Sequence, residues 1–206
     1  MSEKPILFST PMVQAILNGH KTQTRRVIKE AKDRWAFDYL SDDMEVTAVD
    51  RNGDEYGKPV DGLYATFEDA DGYIEFPVVK SKYRVGDILW VRESFCRVLY
   101  RDNMNVYVHY KADVDDESEH QDIKWKPSIH MPRNVARIFL RVTDVRVERV
   151  QEIKSEDCYS EGVNGMMTLD ERRTFRALWN EINAKRGYGW DTNPFVWVYT
   201  FERVTI

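Results

Sequence analysis

The sequence feature that most constrains the fold is a long run of alternating apolar and polar residues, ARIFLRVTDVRVERV, at 136–150. An extended chain places every second side chain on the same face, so this run predicts a β-strand. Ile138, Leu140 and Val142 share one face of the run, and Val145 and Val147 follow one position out of phase. One extra residue shifts the phase in this way, which predicts a β-bulge near Thr143 and Asp144. A strand that is both long and bent is typical of small β-barrels.

A short helix is predicted near the start of the chain, in STPMVQAILNG. Ser9 or Thr10 can satisfy its first amides, and Pro11 suits the first helical position, where no amide hydrogen is needed. Gly19 suits the left-handed residue that ends such a helix. Because the helix has only about two turns, it depends on packing against the rest of the protein.

A longer helix is predicted between Leu169 and Lys185. Its apolar residues recur at the i, i+3, i+4 and i+7 positions of one face, which we interpret as core: Phe175, Leu178, Trp179 and Ile182. Thr168 and Glu171 have the spacing of a capping box at its start. The chain then finishes with FVWVYTFERV, which is apolar on both faces and therefore predicts a central, covered strand.

Residues 33–80 differ in composition from the rest of the chain, because acidic residues outnumber basic ones there. Asn52-Gly53 and Asp71-Gly72 are strong hairpin-turn signals flanked by strand-like segments. We therefore predict a β-rich acidic lobe inserted into a single domain that spans residues 1–206. Its negative charge would repel phosphate, and such a lobe would suit a protein partner.

Composition and absent motifs exclude several classes of function. The net charge of −5 argues against a generally basic nucleic-acid coat, but it is compatible with a local basic groove. Phosphate-loop, Rossmann, zinc-hydrolase and serine-hydrolase motifs are absent, and the histidines lack metal-ligand spacing, so no cofactor and no metal are expected. We expect a cytoplasmic protein that does not enter a membrane, since secretory and membrane-spanning segments and CxxC pairs are also absent.

The segment GHKTQTRR, at 19–26, holds the best candidates for chemistry. A turn at its start could bring Lys21 towards Thr24, and a hydroxyl beside a lysine can act as a nucleophile if burial lowers the lysine pKa enough. Arg26 falls on the same strand face as Thr24 and could hold a phosphate or a developing oxyanion. The same residues also suit an ordinary solvated strand, and their spacing alone leaves both interpretations open.

The opening segment ILFSTPMVQAILNGHKTQTRRVIK resembles the start of ASCH-domain proteins, a branch of the PUA-like β-barrels, especially the versions found in phages and prophages. The resemblance continues in YRVGDILWVRESF, KPSIHMPRNVARIFLRVTDVRVERVQEI, SEDCYSEGV and FRALWNEINAKRGYGWDTNPFVWVYTFE. It implies an α+β fold, in which a bent PUA-like barrel carries helices at its rim. It also implies an open cleft for RNA or a modified nucleoside.

The G-x-K-T-x-T-x-R run is similar to that of a compact enzyme of this superfamily, the bacterial N(4)-acetylcytidine amidohydrolase. This resemblance implies catalytic roles for Thr24 as nucleophile, Lys21 as its assistant and Glu161 as the group that handles the exocyclic nitrogen or positions a water. Arg26 or nearby backbone amides would face the oxyanion. The resemblance thus makes the chain a candidate amidohydrolase acting on N(4)-acylated cytidine.

Further candidates for ligand binding lie outside that trio: Thr22, Arg25, Arg26, Trp90, Arg92, Glu93 and Trp190. Trp90 and Trp190 could stack on a base. The spacing of Trp90 also fits the core, whereas Trp190 lies in the loop GYGWDTNP, where we expect it to be exposed or half-buried. Arg92 and Glu93 would either line the cleft or pair with each other.

Three functions remain open at this stage. The first, which we favour, is binding of nucleic acid or a modified nucleoside through a basic cleft edge at residues 21–26. The second is hydrolysis of an acylated cytidine, with Thr24 as nucleophile. The third is a phage-associated interaction module without catalysis, in which the acidic lobe binds another protein.

Overall fold

The computed structural model describes residues 2–29, 31, 35–42, 45–49, 55–59, 62–69, 78–100, 105–114, 123–163 and 170–206. Its α-helices are α1 (Thr10–Leu17), α2 (Ser155–Ser160) and α3 (Glu171–Asn183). Its strands are β1 (Glu3–Leu7), β2 (Gln23–Val27), β3 (Trp35–Asp42), β4 (Glu45–Val49), β5 (Glu55–Pro59), β6 (Leu63–Asp69), β7 (Val78–Lys80), β8 (Ile88–Arg92), β9 (Phe95–Tyr100), β10 (Asn105–Tyr110), β11 (Phe139–Arg149) and β12 (Phe195–Val204). The fold is thus α+β and consists mostly of strands.

The main sheet has five strands in the order β1-β8-β11-β12-β2. Strand β1 runs parallel to β8, and the other neighbours are antiparallel. The long strand predicted from the sequence is β11, and its register against β12 shifts between Val142 and Asp144, which confirms the bulge. Strand β12 lies inside the sheet, as its apolar composition predicts.

Strand β12 separates two clusters of buried side chains. Phe195, Trp197 and Tyr199 belong to the larger cluster, together with apolar residues of β1, β8 and α1. Val196 and Val198 point to the other face and pack with α2 and α3 in the smaller cluster. The alternation along β12 therefore explains why α3 covers the sheet at β2 and β12.

The predicted bent barrel is not closed by strand pairing among the described residues. Strands β1 and β2 are both edges of the main sheet, and no backbone ladder joins them there. One side chain crosses the gap, because Arg26 on β2 donates from Nη2 to the carbonyl oxygen of Leu7 on β1 at 2.8 Å. The sheet is therefore bent far enough for its two edges to face each other, but it stays open between them.

Helix α1 begins and ends where the sequence predicts. Pro11 lies in its first turn, and Gly19 follows it with φ of +74°. Ser9 is the N-cap residue, but its side chain makes no capping hydrogen bond. Beyond the glycine, the amides of His20 and Lys21 both donate to the Ala15 carbonyl, at 2.8 and 3.0 Å. This tight turn aims Lys21 back towards the protein interior.

Helix α3 confirms the longer predicted helix but starts with a different cap. The side chain of Asp170 accepts a hydrogen bond from the Arg173 amide, which makes Asp170 the N-cap residue. Thr168, the predicted capping-box residue, lies outside the described residues. Phe175 and Trp179 are buried as predicted, whereas Ile182 is 40% exposed.

None of the helices in the described part of the chain has the length and apolar character that a membrane crossing requires.

Residues 33–80 contain strands, as predicted. β4 pairs with β5 and β6 pairs with β7, both antiparallel, so chain reversals occur where the two hairpin signals predict them. The turn residues Asn52-Gly53 and Asp71-Gly72 lie outside the described residues. Ala65 and Phe67 of β6 are buried in the same cluster as the main sheet. That these residues form a lobe inserted into a single domain stays a prediction.

Position 162 requires glycine because of its backbone conformation and because neighbouring side chains leave no room for a Cβ. Replacing Gly162 tests how tightly the end of α2 packs against α1 and Lys21. Gly162 has φ of +84°, and a Cβ there would lie 2.9 Å from Ala15 Cβ and 3.1 Å from Lys21 Cβ. We expect Gly162→Ala to lower the free energy of unfolding by about 1–2 kcal/mol through backbone strain. Overpacking should add about 1–3 kcal/mol.

The matched control is Gly187→Ala, because Gly187 has φ of +85° with nothing within 4 Å of the new Cβ. Urea titrations of both variants separate the two effects, since strain is shared and only the first variant is crowded. Equal losses of stability would show that the contact with α1 and Lys21 is not tight.

Candidate functional site

The candidate site starts at Lys21, which is only 2% exposed. Its backbone forms an isolated bridge with Glu161, the residue that ends α2. Its Nζ donates to the carbonyl oxygens of Gln23 and Glu161, both at 2.7 Å, and to Glu161 Oε2 at 3.0 Å. Lys21 thus joins the free edge of β2 to the end of α2.

The surroundings of Lys21 are those of a protonated amine. An ammonium group has three donors and no acceptor, and here it has three acceptors. Complete burial lowers the pKa of Lys21, while the Glu161 carboxylate acts in the opposite direction. A role for Lys21 as a base would require it to release one of these hydrogen bonds.

Arg25 binds the second oxygen of the Glu161 carboxylate. Its Nη1 donates to Glu161 Oε1 at 3.1 Å, and its Nη2 donates to Glu148 Oε2 at 2.9 Å and to Asp157 Oδ2 at 3.1 Å. Arg146 also contacts Glu148 and Asp157. We call these six side chains the ion-pair network: Lys21, Arg25, Arg146, Glu148, Asp157 and Glu161.

The ion-pair network neutralises most of the basic edge predicted at residues 21–26. It contains three positive and three negative side chains, and Asp144 contacts Arg146 from outside it at 3.3 Å, so no positive charge is left in excess. Lys21 and Arg25 are buried within it and have no charge to offer a ligand. Of the predicted basic edge, Arg26 is the cation outside the network.

A cleft of about 240 Å³ lies beside the network, between β2 and α3, and we call it the β2–α3 cleft. Thr24, Arg25, Arg26 and Glu161 line its polar side. Thr24 is 3% exposed, and its hydroxyl makes no hydrogen bond with any described residue. Arg26 also lies about 5.5 Å from the centre of the Phe8 ring, so its guanidinium is held from two sides.

The opposite side of the cleft is mostly apolar and comes from α3 and the residues after it. Its lining residues there are Phe175, Leu178, Trp179, Ile182, Asn183, Arg186 and Tyr188. The spacing of the apolar residues in α3 predicts only a core-facing side, so this wall is not evident from the sequence. The helical periodicity showed which residues share the face, but it could not show that the outer part of the face stays uncovered.

The structure brings the three predicted catalytic residues to one place, since Thr24 and Glu161 line the cleft and Lys21 contacts Glu161. The predicted ligand residue Thr22 is exposed and outside the cleft lining, and its amide donates to the Ser160 carbonyl at 2.8 Å. The catalytic roles of the trio stay predictions.

The predicted residues around β8 form a separate group. Arg92 lies over the Trp90 ring at 5.5 Å and donates a hydrogen bond to the Ile129 carbonyl. Glu93 is 1% exposed and binds Arg137 with both oxygens, at 2.9 and 3.1 Å. Arg92 and Glu93 do not pair with each other as one of the two expectations had it, because each binds a different partner, and neither is among the residues that line the β2–α3 cleft.

Trp190 is buried and not exposed or half-buried as expected, with 7% of its surface accessible. Its amide donates to Asn180 Oδ1 at 2.7 Å, and this bond folds the glycine-containing loop back onto α3. The indole then packs edge-on against Phe175, with 6.2 Å between ring centres. Trp190 does not line the β2–α3 cleft.

In the described part of the chain, no three histidine, cysteine or acidic side chains lie together in an arrangement that could hold a metal ion. No protein-family model matches the chain. No curated protein matches it either.

Among solved structures, the chain is similar to the crystal structure of an ASCH domain from Lactobacillus crispatus, with 10% sequence identity and a TM-score of 0.43. The match covers 98% of this chain and 79% of that one. Membership of the ASCH family stays a prediction.

Replacing Lys21 by methionine tests the network. The change leaves two carbonyl oxygens and one carboxylate oxygen without their buried donor, so we expect the free energy of unfolding to fall by about 3–5 kcal/mol. Denaturant titration measures this loss, with Lys154→Met as the control because Lys154 is exposed. Equal effects of the two substitutions would contradict a stabilising role for Lys21.

A double-mutant cycle then isolates the pair itself. The variant with both Lys21→Met and Glu161→Gln should lose less free energy of unfolding than the sum of the single variants, by about 0.5–3 kcal/mol. The reason is that Glu161→Gln removes the buried negative charge that Lys21→Met leaves without its lysine partner. Additive losses would show that the 3.0 Å contact between Nζ and Oε2 couples the residues weakly.

Proposed function

We propose that the protein binds a nucleoside-sized ligand, either a free modified nucleoside or one nucleotide of a nucleic acid, in the β2–α3 cleft. The observation that carries this proposal is the division of the cleft into two unlike walls. One wall presents the Thr24 hydroxyl and the Arg26 guanidinium, and the other presents apolar side chains of α3.

A nucleobase is complementary to such a cleft. Its two faces are flat and apolar, whereas its edge carries hydrogen-bond donors and acceptors. Leu178 and Ile182 would contact a face, and Tyr188 supplies an aromatic ring at the same wall. The Thr24 hydroxyl can both donate and accept, and Arg26 only donates.

The size of the cleft restricts what can enter. Its volume of about 240 Å³ is below the roughly 300–1,000 Å³ of pockets for drug-sized ligands. It therefore suits one base with its sugar and not a folded RNA element. Lys29 and Arg186 at the lining add positive charge where a phosphate would leave the cleft.

Removal of the Thr24 hydroxyl tests this proposal. We expect Thr24→Val to weaken binding of N(4)-acetylcytidine about 2- to 13-fold, which corresponds to the ~0.5–1.5 kcal/mol of one hydrogen bond. Titration calorimetry measures the change, with Thr205→Val as the control because Thr205 is exposed near the end of the chain. Binding that is unchanged in both variants would place the nucleoside elsewhere.

Hydrolysis of an N(4)-acylated cytidine is a second candidate function. The observation that favours it is the Thr24 hydroxyl, which lines the cleft beside Glu161 without a hydrogen-bond partner among the described residues. In this reaction Oγ1 would attack the acyl carbonyl carbon, and the exocyclic nitrogen would leave with a proton. Water would then release the acyl group from the threonine as a carboxylic acid.

The Thr24→Ser variant separates hydrolysis from binding, because serine keeps the hydroxyl that valine lacks. If the second candidate is right, wild type and Thr24→Ser release cytidine from N(4)-acetylcytidine, and Thr24→Val does not. Chromatography measures the release, and the melting temperature of each variant shows whether it is folded. Binding without release by the wild type would leave the first candidate alone.

The third function, a protein partner bound through residues 33–80, stays a prediction. Only part of that segment is described, and its described strands present no feature specific to a partner.

A further inference from the structure

The opening between the two edge strands of the main sheet is lined by basic side chains. Two adjoining cavities, of about 280 and 610 Å³, share Lys80, Lys82 and Tyr83 in their linings. We call them together the basic channel, and its basic residues are Lys4, Arg26, Lys29, Lys80, Lys82 and Arg84. It begins where Arg26 spans from β2 to β1 and continues along residues 80–84.

Three cations of the channel, Arg26, Lys29 and Lys82, have no carboxylate partner among the described residues. No aspartate or glutamate is among the described residues that line either cavity. Lys4 is paired with Asp87 at 2.7 Å, so its charge is neutralised. The three cations without a partner contrast with those of the ion-pair network, where each cation has a carboxylate.

Lys82 is repelled by neighbouring cations. Its Nζ is 5.2 Å from the centre of the Tyr83 ring and has no described carboxylate beside it. Partial burial, followed by repulsion from Arg26, Arg92 and Lys4, lowers the pKa of Lys82. An anion in the channel would relieve this repulsion.

We propose that the basic channel binds the phosphates of a single-stranded nucleic acid. The inference rests on the proposed function, because one nucleotide of that strand would occupy the β2–α3 cleft. Arg26, Val27 and Lys29 line both the cleft and the channel, so a strand can pass from one to the other without leaving the protein surface.

The form of the channel favours a single strand. It is a concave opening between strand edges, and Ile6 and Leu7 of β1 form one of its walls. A single phosphodiester chain can enter such an opening, whereas a duplex would place most of its phosphates outside it. Grooves that follow the backbone with basic side chains are the usual sites for single strands.

The test is the binding of a fluorescein-labelled single-stranded RNA of about 12 nucleotides, within the ~4–16 that one small domain covers. Fluorescence anisotropy between about 50 and 200 mM salt gives the affinity and its salt dependence. The variants are Lys82→Gln and, as a matched control, Lys154→Gln, whose lysine is exposed and outside the channel. Titration calorimetry with N(4)-acetylcytidine measures occupancy of the cleft separately.

Loss of one phosphate contact should change the slope of log affinity against log salt by about 0.7. We expect Lys82→Gln to show this change and weaker RNA binding, while Lys154→Gln does not and both retain nucleoside affinity. Equal RNA binding by the two variants would overturn the inference. If the protein bound a poly-glutamate peptide or duplex RNA as tightly as it binds the single-stranded RNA, the assignment of the channel to single strands would be overturned.

The two proposals fail in different ways. Nucleoside binding without RNA binding would overturn the channel and keep the proposed function. RNA binding that depends on Lys82, without nucleoside binding, would keep the channel and overturn the cleft. Binding of neither ligand would overturn both.

Discussion

The carboxylate of Glu161 is the interaction on which the arrangement of the site depends. One of its oxygens accepts from Lys21 and the other accepts from Arg25, and all three side chains are buried. A buried carboxylate with one cation removed carries a large desolvation penalty, so the three groups stabilise the fold only as a unit. Since Lys21 follows α1, Arg25 belongs to β2 and Glu161 ends α2, this unit fixes the relative position of three elements.

The same network decides which cations are available to a ligand. Arg25 and Arg26 are neighbours on one strand, but their side chains have opposite surroundings. Arg25 contacts three carboxylates and is inside the protein, whereas Arg26 binds a backbone carbonyl at the gap between β1 and β2. An arginine whose only described hydrogen bond is to a neutral oxygen keeps its full charge. The gap in the sheet therefore coincides with the place where positive charge is exposed.

Features that arise from neighbouring residues could be predicted from the sequence. The phase slip in β11 gave the bulge at Val142 and Asp144, and glycine at position 19 gave the left-handed end of α1. The pairing of Arg25 with Glu148 and Asp157 could not be predicted, because both carboxylates are more than 120 residues away in the chain. Whether the predicted barrel closes could not be predicted either, since strand patterns do not show whether the two edge strands of a sheet pair with each other.

Part of the basic channel is visible in the sequence as a run of alternating basic residues. Lys80, Lys82 and Arg84 alternate in the sequence, and alternation in an extended chain places basic side chains on one face. Only Lys80 of the three lies within the acidic segment 33–80, and the alternation continues beyond the end of that segment. Only the fold brings Lys80 and Lys82 into one cavity with Arg26 and Lys29. Binding of an anion by a protein with a net charge of −5 thus depends on where the cations meet and not on their number.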